Sequence, residues 1–324
     1  MQAVVKRGIR LATLIAVLSV WGVWLPSAAR AAYPGENGRI AFSIADPDAQ
    51  DGAIVAVLPD GGDPQEIIPP SDPTPALFPS WSADGSRLTF VRFNQRFTRS
   101  RLFTANDDGT DVALVVRSSR RLPFITGATW SPDGDRLAYC ARTSGDVSER
   151  FRSRIFVVDA DGSNRIWLTR GLRKVECEPS WSPDGSRIAF QSFSTNAVRI
   201  AVMNVDGTGR VIVVPRGDNF LPDWSPDGAR LVFARSRRSG DVDIFTVGVD
   251  AGARARVTDD PRFEWAPVFS PDGLRIAFSR TRTHRADTAT DIWTADVDGG
   301  DEVNVTNTPR LTYETDPTWQ PVVP

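Results

Sequence analysis

Short runs in which apolar and polar positions alternate with period two recur along this chain. Arg87-Leu88-Thr89-Phe90, Arg136-Leu137-Ala138-Tyr139, Arg187-Ile188-Ala189-Phe190, Arg230-Leu231-Val232-Phe233 and Arg275-Ile276-Ala277-Phe278 are five copies of one pattern. Each follows a five-residue motif: Trp81-Ser82-Ala83-Asp84-Gly85, Trp130 to Gly134, Trp181 to Gly185, Trp224 to Gly228, and, with Phe in place of Trp, Phe269 to Gly273. Alternation predicts strands. The Pro-Asp-Gly step predicts a tight turn between two of them, because proline fixes φ and glycine accepts positive φ. Third strands follow, such as Arg154 to Val158 and Asp243 to Val247. Second turns at Asp60-Gly61, Asp108-Gly109, Asp161-Gly162, Asp206-Gly207, Asp250-Ala251-Gly252 and Asp298-Gly299 then lead into an outer strand.

From Trp81 the repeat steps are 49, 51, 43 and 45 residues. A period in this range, built from short strands and Asp-Gly turns, predicts an all-β fold, a β-propeller of four-stranded antiparallel blades. The ends complement each other: Arg39-Ile40-Ala41-Phe42 is a second strand without its motif, and Asp316-Pro317-Thr318-Trp319 is a first strand with nothing after it. Counting Arg39, Arg87, Arg136, Arg187, Arg230 and Arg275 predicts six blades, closed by pairing of the N- and C-terminal strands in one blade, which removes open edges. Trp81, Trp130, Trp181, Trp224, Phe269 and Trp319 are expected to pack between blades, since a large aromatic in every repeat buries much apolar area.

The Trp-Ser-Pro-Asp-Gly-x-x-Ile-Ala-Phe unit resembles the WD40-like (PD40) repeats of the TolB β-propeller family, over about residues 33 to 323. The resemblance implies a propeller and, by analogy with TolB, a place in envelope protein interactions. It departs from TolB in one respect: Tyr33-Pro34-Gly35 runs almost at once into the first blade, so a stand-alone propeller without the TolB N-terminal domain is expected. Lyases on related propellers rely on histidine-rich metal sites, which this chain does not match.

Residues 1–32 read as a signal peptide. Lys6, Arg7 and Arg10 precede an apolar stretch from Leu11 to Leu25, and Ala29-Arg30-Ala31 resembles a cleavage site. The apolar stretch is short for a membrane span, and no cysteine lies near the cleavage site to take a lipid. The expectation is an exported protein, periplasmic or extracellular, not lipid-anchored, with residues 33–324 forming the propeller. Export makes nucleic acid an unsuitable partner. It also permits a disulfide between Cys140 and Cys177, the two cysteines, which the topology places in neighbouring blades on one face; two free thiols are the alternative.

Composition narrows the chemistry. His284 is the single histidine and lies in a basic loop, which argues against a Ser-His-Asp triad and a multi-histidine metal site. No Gly-x-Ser-x-Gly occurs. Carboxylate chemistry stays open. The loops entering the innermost strands contain Glu176, Glu178, Asn219, Asp223, Glu264, Glu314 and Asp316, expected to ring one channel mouth. They could form a solvated polar rim, bind a small ligand or a cation such as calcium through oxygen ligands, or provide an acid and base for hydrolysis. Asp159-Ala160-Asp161-Gly162 resembles the start of a calcium loop, but Arg170 stands where the twelfth-position Glu belongs, so it reads as a hairpin turn.

Charge by face carries more information than the net charge of −2. The loops between second and third strands hold Arg92, Arg96, Arg99, Arg101, Arg142, Arg150, Arg152, Arg154, Arg235, Arg237, Arg238, Arg280, Arg282 and Arg285, while the turns on the other face are rich in Asp. A dipolar disc would attract an acidic partner with salt-sensitive binding, and arginine suits bidentate carboxylate contacts. The sequence therefore points to an exported, non-catalytic scaffold that binds a protein or envelope component, without a cofactor. The alternatives are a channel that binds a small ligand or cation and a carboxylate-based hydrolase.

Overall fold

The structure, a computed structural model, describes residues 32–46, 51–70, 74–94, 98–119, 122, 124–143, 152–169, 175–194, 196–237, 240–250, 252–283, 289–308 and 312–323. Residues 1–31 of the expected signal peptide, together with Arg96, Arg150, Arg238, His284 and Arg285, lie outside the described residues.

Every described element is a strand or a tight turn. Four sheets are four-stranded and antiparallel. The first runs through Ala76–Trp81, Arg87–Phe93, Ser100–Asn106 and Ala113–Arg117. The second has Phe124–Trp130, Arg136–Thr143, Arg152–Asp159 and Ile166–Trp167. The third has Glu176–Trp181, Arg187–Phe193, Val198–Asn204 and Val211–Val214. The fourth has Asn219–Trp224, Arg230–Ser236, Val242–Gly248 and Arg254–Arg256.

The remaining eight strands correct the expected blade count. The structure has four separate four-stranded blades rather than six, and the other eight strands form one sheet. Within it, Glu264–Phe269, Arg275–Thr281, Thr290–Asp296 and Val303–Asn304 join Tyr313–Val322, Glu36–Asp46, Asp51–Val57 and Gln65–Ile68. The junction is a parallel bridge between Thr290 and Tyr313. It is tightened by Thr290 N donating to Thr312 O at 3.1 Å and by Thr290 Oγ1, which donates to Glu314 O and accepts from Glu314 N, both at 2.8 Å. A count of turns and repeat arginines does not register a hydrogen-bonded bridge between consecutive repeats. In the same sheet the N-terminal strand Glu36–Asp46 pairs antiparallel with the C-terminal strand Tyr313–Val322, Ile40 opposite Trp319 and Ile44 opposite Glu314.

Period-two alternation decides the packing. Leu137 and Tyr139 enter one apolar cluster and Ala138 another; Ile188 and Phe190 join the cluster of Trp181, while Ala189 joins that of Trp224. Each second strand thus offers large side chains to one side and small ones to the other, and neighbouring sheets stack through these faces. The repeat aromatics Trp81, Trp130, Trp181, Trp224, Phe269 and Trp319 are all buried. The Asp-Gly hairpin turns lock successive sheets as well. A Cβ at Gly109 (φ +80°) would stand 2.0 Å from the carbonyl oxygen of Ile67, and one at Gly299 (φ +93°) 2.2 Å from that of Val257, so only glycine fits.

Candidate functional site

The innermost strands share a device that turn patterns do not reveal. Three residues before the repeat aromatic, Phe78, Glu178, Leu221, Ala266 and Asp316 all adopt positive φ, between 52° and 64°. Strand pairing shifts at the same place, between Leu77 and Ser80, Cys177 and Ser180, Phe220 and Asp223, and Trp265 and Val268. Each is a β-bulge with a non-glycine residue in the left-handed region, a conformation that costs on the order of 1–3 kcal/mol and persists only where surrounding contacts enforce it. The sequence signal is proline two residues before the aromatic, at Pro79, Pro179, Pro222, Pro267 and Pro317. Proline lacks an N–H and is tolerated in sheets at edges and bulges. The second strand of the preceding repeat holds the bulge: Phe78 N donates to Ser43 Oγ at 2.9 Å, and Asp316 N to Ser279 Oγ at 3.2 Å.

The disulfide occupies the same junction. Cys140 stands four residues after Arg136, as Ser43 stands after Arg39 and Ser279 after Arg275. It is bridged to Cys177, the residue before the Glu178 bulge, with a Cα–Cα distance of 5.2 Å. One contact between successive repeats is covalent where two others are serine hydrogen bonds.

The expected channel-mouth carboxylates are corrected in position: they belong to the strands and are buried, not to a solvated rim. Glu176, Asn219, Glu264 and Glu314 each stand five residues before the repeat aromatic and are fully buried. Glu176 Oε1 meets Arg210 Nη2 at 2.8 Å. Asn219 Nδ2 donates to the carbonyls of Val198, Arg216 and Gly217 at 2.9, 3.2 and 3.0 Å. Glu264 Oε1 accepts from Arg280 Nε at 2.6 Å, and its Oε2 accepts from Thr258 Oγ1. Burial pushes the Glu264 carboxyl up to about 7, opposed by Arg280 and Thr258. Burial also raises Glu314, opposed by the threonines 306 and 308, the latter donating to Oε1 at 2.8 Å. Asp223 accepts from Ser180 Oγ at 3.2 Å and from Phe269 N at 3.1 Å, linking inner strands of three successive repeats. Glu178 and Asp316 sit at bulges, and Asp316 Oδ2 accepts from Thr315 Oγ1 at 2.8 Å. Among the described residues, no group of three or more His, Cys, Asp or Glu is placed to hold a metal ion.

Tyr33 packs between inner strands. Tyr33 is 2% exposed, donates its hydroxyl to Trp130 O and packs in the cluster of Trp181; Asp223 acts on its titration. Trp130, Trp181 and Asp223 belong to inner strands of three different sheets, so the ring stands among them. Burial, with Asp223 adding to it, raises the phenol well above its ordinary value. Ala32 is buried in the cluster of Phe220 and Leu221.

Three of the arginines expected on the partner-binding face, Arg235, Arg237 and Arg282, are engaged within the chain. Arg235 donates to Arg216 O at 3.2 Å and Asn219 Oδ1 at 3.3 Å. Arg237 lies 3.4 Å from Asp243 Oδ2, which Arg256 meets at 3.0 Å. Arg282 Nη2 meets Asp291 Oδ1 at 2.6 Å. Strand register sets Arg235 opposite Asp243 and Arg280 opposite Asp291, and Arg237 and Arg282, two residues further on, reach those carboxylates. Arg99 is exposed, and Arg152 begins its strand. Four of the arginines that open second strands have a role not foreseen from the pattern. Arg87, Arg136, Arg187 and Arg230 stand 4.8, 5.2, 4.9 and 5.7 Å over the rings of Trp130, Trp181, Trp224 and Phe269, the aromatics of the next repeat.

Stacked antiparallel sheets with one buried aromatic per repeat, joined where the two ends of the chain pair, define an all-β propeller. The TolB beta propeller domain family (PD40) matches residues 143–322, and the chain belongs to it. The Tol-Pal system protein TolB of Bordetella pertussis is 29% identical over 150 residues, covering 46% of this chain and 31% of that protein. Dipeptidyl-peptidase 5 of Porphyromonas endodontalis is 29% identical over 119 residues, covering 34% of this chain and 17% of the peptidase. The chain therefore spans less than a third of either relative's length in these matches. Among solved structures, TolB from Acinetobacter baumannii superposes with a TM-score of 0.72 at 19% identity, covering 88% of this chain and 67% of that one, a likeness of fold.

Proposed function

We propose that this chain is an exported, non-catalytic propeller, periplasmic or extracellular, that holds a protein partner of the cell envelope. What carries the reading is the fate of the inner-strand polar groups. Glu176, Asn219, Asp223, Glu264 and Glu314 are committed to arginines, threonines, a serine and backbone groups, and the Tyr33 ring is buried against the ends of the inner strands. Family membership and the likeness to a Tol-Pal system protein support the same reading. The peptidase relative does not extend to catalysis here, since the chain contains no Gly-x-Ser-x-Gly and one histidine. The test is a pull-down from envelope extract with residues 33–324 at low and high salt, confirmed by the reciprocal pull-down. One protein retained at low salt and released by salt is the expected result. No retained partner, or turnover of glycoside or peptide substrates by the purified protein, overturns the proposal.

A further inference from the structure

Strand register lines up one row of residues in every repeat, starting five residues before the repeat aromatic. In the row of Glu264 the order outward is Glu264, Arg280, Asp291; in that of Asn219 it is Asn219, Arg235, Asp243; in that of Glu176 it is Glu176, Ser192, Arg199. Where arginine occupies the second strand in these rows, a carboxylate stands beside it. The row of Ala76 breaks the rule: it reads Ala76, Arg92, Arg101, Arg117. Directly opposed residues in an antiparallel sheet share a face, and neighbouring strands lie about 4.8 Å apart, so three guanidinium stems stand abreast over roughly 10 Å. Arg92 is half-buried and donates to Thr74 O at 3.1 Å; burial lowers its pKa. Arg101 and Arg117 are exposed, and among the described residues neither side chain has a hydrogen bond or ion pair. Exposed Arg99 lies beside the row.

From this unmatched row we infer a binding site for carboxylates: Arg92, Arg101 and Arg117 receive an acidic segment of a protein partner. The inference rests on the partner-binding reading and gives it a location. The choice of carboxylate comes from the molecule itself. In the equivalent rows Asp291 and Asp243 stand opposite the arginines and pair with arginines of the same repeats outside the rows, Arg282 at 2.6 Å from Asp291 and Arg256 at 3.0 Å from Asp243. Among the described residues the Ala76 row offers the same donors without the acids, so an acidic segment would supply in trans what those repeats hold in cis. Like charges directly opposed across strands repel, and a bound carboxylate relieves that repulsion while taking bidentate contacts.

The probe is a fluorescein-labelled deca-glutamate peptide, read by anisotropy against residues 33–324 at low salt. The Arg101→Asp variant installs the missing acid and should weaken peptide binding at least tenfold while raising the melting temperature. The Arg101→Gln/Arg117→Gln double variant should weaken binding similarly without that rise. Arg216→Glu, at an exposed arginine in the loop before Asn219, serves as the charge control and should change binding less than twofold. Equal loss in the control and row variants would reduce the effect to general charge attraction and overturn the site. So would tight binding of tripolyphosphate with none of the peptide, which would assign the row to phosphate. If peptide binding maps to the row but envelope extract yields no partner, the envelope role fails and the site stands. A partner captured equally by wild type and Arg101→Asp leaves the envelope role standing and removes the site.

Discussion

Removal of the Cys140–Cys177 bridge tests how the sheets are joined. The bridge closes a loop of sequence separation 37. The chain-entropy relation for a loop of that size puts its contribution at about 4 kcal/mol. With an unfolding entropy of about 2.1 cal/mol/K per residue over residues 33–324, the Cys140→Ala/Cys177→Ala protein should melt about 6 °C lower than wild type. The position equivalent to Cys140 is Ser43 or Ser279 at two other junctions, each accepting a bulge N–H. A Cys140→Ser/Cys177→Ala protein should therefore recover about 1 kcal/mol through the same hydrogen bond to Glu178 N. Calorimetry and urea titration of the three proteins in non-reducing buffer provide the assay. Melting of the alanine variant within 1 °C of wild type would refute the bridge as a stabilising link. Equal midpoints for the serine and alanine variants would refute the equivalence of the junctions.

Two further predictions concern groups between repeats. Arg187→Met removes the guanidinium 4.9 Å over Trp224 but keeps much of the stem, and should lower stability by about 1 kcal/mol in a urea titration, with Arg187→Lys losing less; no difference between Met and wild type would show the stacking contributes nothing. Burial raises the Glu264 carboxyl from 4.5 to about 7, so the folded protein binds this proton more tightly than the unfolded chain. This group's stabilising contribution is full below pH 4.5 and is lost as pH rises through about 7, so Glu264→Gln should flatten a decline in melting temperature between those values. An unchanged slope in the variant would rule out Glu264 as its source.

Much of the architecture can be read from residue order because it is local. Period-two alternation with an intervening Pro-Asp-Gly turn is decided within about ten residues, and the repetition of Trp81, Trp130, Trp181 and Trp224 reveals stacking, since one repeat cannot bury its aromatic alone. What escaped that reading depends on register and on contacts between repeats. Ala76, Glu176 and Glu264 begin equivalent strands, yet no local pattern shows that each heads a row ending in arginine or aspartate. Arginines 237 and 282 look like free surface charges until strand pairing brings Asp243 and Asp291 beside them. The left-handed bulge had a faint signal in its recurring proline, but its hold on the neighbouring sheet appears only in the fold.

The sequence by itself determined an all-β propeller with buried repeat aromatics, because turn chemistry and strand alternation act over a few residues. Tertiary structure decided the rest: the merging of eight strands through Thr290 and Tyr313, the burial of the candidate carboxylates, the Tyr33 ring among the inner strands, and the row of arginines with no acid beside it among the described residues. Each arises where residues far apart in sequence meet, and a sequence pattern sets side-chain periodicity without setting which charge lies across the strand.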